Sequence, residues 1–98
     1  MIFKKLLQEF IAEDISYQTK FEIAQKITEK FNFKICEKLS DDELKISIQA
    51  ILFIIFMSHG LPPTASLLFS GILAVLIICK IKKAQEVFDY FKAKYVSE

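Results

Sequence analysis

The chain has no arginine and no tryptophan, only 2 glycines, 2 prolines, 2 cysteines and a single histidine in 98 residues. Each shortage excludes something. All 13 basic residues are lysine, so the planar fork that grips phosphate and carboxylate with paired hydrogen bonds is missing. With a net charge of +1 there is also no basic surplus for a polyanion, and nucleic acid is not an expected partner. Two cysteines make no disulfide framework, and none is expected. Two glycines cannot build a phosphate-cradling loop, and no nucleophile stands beside a base, so an enzyme is not expected and no cofactor or metal is called for.

The most telling absence is local. No Asp, Glu, Lys or Arg occurs from Ile46 to Cys79. Gly60-Leu61-Pro62-Pro63 divides this stretch into two runs, Ile46–Met57 and Ala65–Cys79, and neither has a polar face. A helix apolar all round has to be buried in protein or lipid, and a chain this short buries only about 60–65% of its unfolded surface. The expected fold is therefore all-α and integral to a membrane: a transmembrane helical hairpin over 40–81, turning at 59–63, with an amphipathic cytoplasmic arm at 1–39 and a helical cytoplasmic tail at 82–98. Each run of some 16 residues gives roughly 24 Å against a hydrocarbon core of about 30 Å. Full spanning is preferred to a wedge in one leaflet, because a buried tip at Pro62-Pro63 must still satisfy its carbonyls.

Before the hairpin, Phe3, Leu6, Leu7, Phe10 and Ile11 recur at helical steps, and Tyr17, Phe21, Ala24, Ile27, Phe31 and Ile35 form a second stripe with Lys20 on its polar side. These predict helices over about 2–14 and 17–38, separate or joined through Asp14-Ile15-Ser16. The opening Met1-Ile2-Phe3-Lys4-Lys5-Leu6-Leu7 is interrupted by Gln8, Glu9, Glu13 and Asp14 before it reaches the apolar length of a signal peptide. Ser40-Asp41-Asp42-Glu43 reads as a capping box that starts the first apolar helix. The three acids are better explained by capping than by cation binding.

Within the second run Ser66, Ser70 and Ala74 lie four apart with Gly71 beside them, a face for close helix packing, either within the hairpin or between copies. Beyond it Ile81, Ala84, Phe88, Phe91 and Tyr95 alternate three and four, an oligomerisation seam on the same helix. Gln49 is placed to reach the membrane interface or to bond across the helices, with the interface preferred. His59 reads as a solvated turn residue. Lys45 flanks the first run and Lys80, Lys82 and Lys83 flank the second, while the turn carries no lysine. The positive-inside rule then makes the protein multi-pass with both termini cytoplasmic.

The stretch Gly60-Leu61-Pro62-Pro63-Thr64-Ala65-Ser66-Leu67-Leu68, followed by Lys80-Ile81-Lys82-Lys83, resembles small bacterial two-span membrane proteins of the holin superfamily III kind. The lack of arginine near the membrane departs from that pattern. The resemblance implies a self-associating protein acting on bilayer integrity or on a membrane partner, with no catalytic residues. Expected partners are thus the lipid bilayer and further copies of the chain. The alternatives are an accessory subunit docking on another membrane protein, and a leaflet-inserted hairpin that induces curvature.

Overall fold

In a computed structural model describing residues 2–80 and 93, the chain is all-helical, with no strand among the described residues. The helices are α1 (Ile2–Phe10), α2 (Tyr17–Lys30), α3 (Phe33–Glu37), α4 (Asp41–Ser58) and α5 (Pro63–Lys80).

Local chemistry sets each boundary. The α1 stripe Phe3, Leu6, Leu7, Phe10 is buried, and the helix stops short of the acids at Glu13 and Asp14. Ser16 then caps α2, its hydroxyl accepting from the Thr19 amide at 3.1 Å, so α1 and α2 are separate helices linked through Asp14-Ile15-Ser16. The expected helix over 17–38 is also interrupted. Asn32 adopts an extended conformation and its side-chain oxygen accepts from the Ile35 amide at 3.0 Å, starting the short α3. A short polar side chain that bonds the backbone locally competes with helix continuation.

At Ser40 the capping box is complete: the Ser40 hydroxyl accepts from the Glu43 amide at 3.2 Å, and the Ser40 amide donates to the Glu43 carboxylate at 2.9 Å. The far end of α4 closes on Gly60, whose φ of 92° suits glycine. The Gly60 amide donates to Met57 and the Leu61 amide to Phe56, each at 3.1 Å, which satisfies the last carbonyls of α4 in a Schellman turn. Pro63 follows as the first residue of α5, where a missing N–H costs nothing.

Packing departs from two bare spans. One face of α4, with Ala50, Phe53 and Ile54, shares a core with Phe3, Leu7 and Phe10 of α1 and Ile23, Ala24 and Ile27 of α2. Phe10 and Phe53 meet edge to face with centroids 5.9 Å apart. Its other face, with Leu44, Ile48, Ile51 and Leu52, packs with Cys36 of α3 and Ala74 of α5. The protein's own arm thus covers α4, which removes the argument that lipid must. Phe3, Leu7 and Phe10 are core residues. Among the described residues no helix is long and apolar enough to cross a membrane. Four charged residues, Asp41, Asp42, Glu43 and Lys45, take up the first turn of α4 and its fringe, leaving too short an apolar remainder.

Candidate functional site

The small residues of α5 face inward. Ser66, Ser70 and Ala74 are fully buried, with the hydroxyls returned to the backbone: Ser66 donates to the Leu61 carbonyl at 3.3 Å and Ser70 to that of Leu67 at 2.9 Å. Gly71 lies against Gln49, where an added Cβ would stand 3.1 Å from the amide nitrogen. That nitrogen donates to the Leu67 carbonyl at 3.2 Å. Gln49 therefore bonds across the hairpin, correcting the preference for the interface, and the small face is occupied by α4 of the same chain. Ser47 on α4 is likewise buried, its hydroxyl donating to the Glu43 carbonyl at 2.9 Å.

Turning α5 outward are Leu68, Phe69, Ile72, Leu73, Val75 and Leu76, all exposed, with Leu68 at 60% and Leu76 at 58%. At 100° per residue these six span an arc of roughly 160°, and no polar residue falls in it between Leu68 and Leu76. Most exposed side chains of the arm are of the opposite kind, with Lys5, Glu9, Glu13, Glu22, Lys26 and Glu29 at the surface of α1, α2 and the link between them, and only Ile2, Ile11 and Tyr17 exposed as large apolar residues there. Among the described residues the arm presents a largely charged surface and α5 an apolar one.

Along the flank of the apolar surface runs an open groove of about 620 Å³. Its polar wall is Tyr17, Lys45 and Gln49, and its apolar wall includes Leu68, Ile72 and Val75. Tyr17 stands at the start of α2 and Lys45 and Gln49 one turn apart on α4, so three helices build it. Sequence reasoning placed Lys45 at a membrane boundary and did not connect it with Tyr17, since the two are brought together only by docking of the arm.

Lys20 was also misplaced by its stripe. It is 8% exposed and shares the buried face of α2 with Ile23, Ala24 and Ile27. Its ammonium donates to the carbonyls of Phe10 at 2.5 Å and Ala12 at 2.9 Å and lies 5.3 Å from the Phe10 ring centre. Burial lowers its pKa, partly opposed by the charge of Glu13. The three-four-three step Tyr17, Lys20, Ala24, Ile27 was the available signal. Cys36 is 2% exposed, and burial, with Glu37 adding to it, pushes its thiol up to about 11. Glu43 titrates below the usual carboxylate range, chiefly through the Ser40 amide.

His59 bonds through Nδ1 to the Ile55 carbonyl at 2.8 Å and remains exposed in the turn. Among the described residues no group of three or more His, Cys, Asp and Glu is placed to hold a metal ion. Lys82 and Lys83, and the seam Ile81, Ala84, Phe88, Phe91 and Tyr95, lie outside the described residues. Comparison with protein-family models, curated proteins and solved structures found no match. Among the described residues the fold is all-α, with a covered central helix and an exposed apolar face on α5.

Proposed function

We propose that this protein is a non-enzymatic, membrane-surface helical module that seats the outer half of α5 in the acyl boundary of one leaflet. The observation that carries this reading is the continuous arc from Leu68 to Leu76, apolar and exposed over nearly half the helix circumference. A partner helix in a coiled-coil seam covers a narrower stripe than this, whereas lipid covers any width. In this arrangement α5 lies in the plane of the membrane and the charged arm stands in water, as for helices that bind interfaces by a buried apolar face. In this reading an interfacial helix replaces both the spanning hairpin and the leaflet wedge with its buried tip at Pro62-Pro63. Lys45, near the open end of the hairpin, stands beside the inserted surface, and the anionic lipids of a cytoplasmic leaflet attract a lysine so placed.

The second reading is self-association through the same face, which burial of Leu68, Ile72 and Leu76 against another copy would reward. An assembled form perturbing the bilayer is the holin-like version of it, and docking on another membrane protein is the version for an accessory subunit. Vesicle flotation with the full chain separates these. The lipid reading expects wild type to float and Leu68→Lys with Leu76→Lys to remain with the soluble fraction at unchanged helical circular dichroism. Flotation of the double variant at wild-type level would overturn it. A lipid-free dimer split by the same substitutions, without flotation of the parent, would establish self-association in its place.

A further inference from the structure

The groove beside α5 has the composition of a site for an amphiphile. Ligand pockets run to about 300–1,000 Å³, mostly apolar with a few placed polar groups, and this groove falls in that range. Its two walls differ in kind. Tyr17 and Lys45 line one side and Leu68, Ile72 and Val75 the other, with no Asp or Glu in the lining. Lys45 is half-buried and forms no ion pair among the described residues, although Asp41 lies one turn before it; the ion pair that is present joins Lys4 to Glu43 at 3.7 Å. An ammonium left without a carboxylate, in a groove whose remaining polar groups are neutral, calls for an anion.

We infer that this groove binds an anionic phospholipid, with the phosphate at the Lys45 ammonium and the Tyr17 hydroxyl and an acyl chain laid over Leu68 and Ile72. The inference rests on the membrane-surface reading above and specifies its lipid. With α5 in the membrane plane, the groove lies at the waterline: its polar wall stands at headgroup level and its apolar wall meets the acyl chains. Tyrosine and lysine suit that level because each joins an apolar body to a polar tip. The source is a bilayer lipid rather than free phosphate, because half of the lining has nothing to offer an inorganic ion.

Flotation of the full chain on phosphatidylcholine vesicles, with and without phosphatidylglycerol, tests this. Wild type is expected to prefer the anionic vesicles, and Lys45→Gln to lose about fivefold of its affinity for them, the worth of one lysine at a charged surface, while floating on phosphatidylcholine as before. Lys26→Gln, on the exposed face of α2, serves as the control for diffuse charge and should change affinity by less than about twofold, as expected for a screened charge. Equal losses in the two variants, or none in Lys45→Gln, would overturn the site and leave the membrane-surface reading standing. Failure of wild type to float on either vesicle would overturn both. A nuclear magnetic resonance titration with monomeric short-chain phosphatidylglycerol locates the site: shifts at Tyr17, Lys45 and Ile72 support it, and shifts elsewhere, or equal shifts with inorganic phosphate, overturn it.

Discussion

Lys20 closes α1 from a different helix, donating to the Phe10 carbonyl at 2.5 Å while its ammonium lies 5.3 Å from the centre of the same residue's ring. Phe10 is thereby held at both its backbone and its side chain, and the ring it presents to Phe53 joins the arm to α4. A cation at the carbonyl end of a helix also opposes the negative end of the helix dipole.

Replacing Lys20 with Met keeps the buried hydrocarbon and removes the donors, leaving the carbonyls of Phe10 and Ala12 short of a partner. The expected loss is about 1–3 kcal/mol, the cost of an unsatisfied buried polar group. Urea denaturation followed by circular dichroism measures it. A midpoint equal to that of wild type would show that water serves those carbonyls as well as the ammonium does.

Gly71 should tolerate alanine and refuse isoleucine. A Cβ there meets the Gln49 amide at 3.1 Å, the movable end of a long side chain. Alanine gains about 1 kcal/mol of helix propensity and loses a comparable amount as Gln49 leaves the Leu67 carbonyl, so Gly71→Ala is expected within about 1 kcal/mol of wild type. Gly71→Ile overfills the contact between α4 and α5, at a cost of about 1–3 kcal/mol. Thermal unfolding of the two variants gives the comparison, and equal stability would contradict the close approach at this point.

The thiol of Cys36 supplies a pH dependence of known sign. Its folded pKa is raised to about 11 because burial favours the neutral form. The associated stability is fully present below the pKa of the unfolded thiol, near 8.5, and is lost as pH rises through about 11. In a Cys79→Ala background, the stability difference between Cys36 and Cys36→Ala should be flat up to about pH 8 and shrink above it. Alkylation by iodoacetamide at neutral pH should be slow until denaturant is added. Fast alkylation of the folded chain would place Cys36 at the surface.

What was legible in the sequence was what is decided within a few residues. Ser40 with Glu43, and Gly60 ahead of Pro62-Pro63, mark helix ends through contacts that span at most four or five positions. The all-helical class followed from periodicity in the same way. What was illegible depends on which face meets which. The stripe through Ala24 and Ile27 is buried and Phe21, Phe31 and Ile35 pack against the core, but Tyr17 is exposed and Lys20, expected to face solvent, joins the buried face because its ammonium serves the carbonyls of Phe10 and Ala12. Asn32 was passed over inside a favourable pattern. The largest difference came from covering α4: its apolar circumference was assigned to lipid, whereas residues 3–27 supply the cover for one side of it. The groove between Tyr17 and Lys45 exists only once that docking has occurred.

The position of the arm along the chain has a consequence for synthesis. α1 and α2 precede α4, so during translation the two helices that cover Ala50, Phe53 and Ile54 leave the ribosome before those residues do. The apolar face of α4 therefore emerges after the segments that cover it in the folded chain, which shortens the time for which it stays bare. α5 comes later, and its bare outer arc is the one apolar surface among the described helices that the preceding chain leaves for something else to cover.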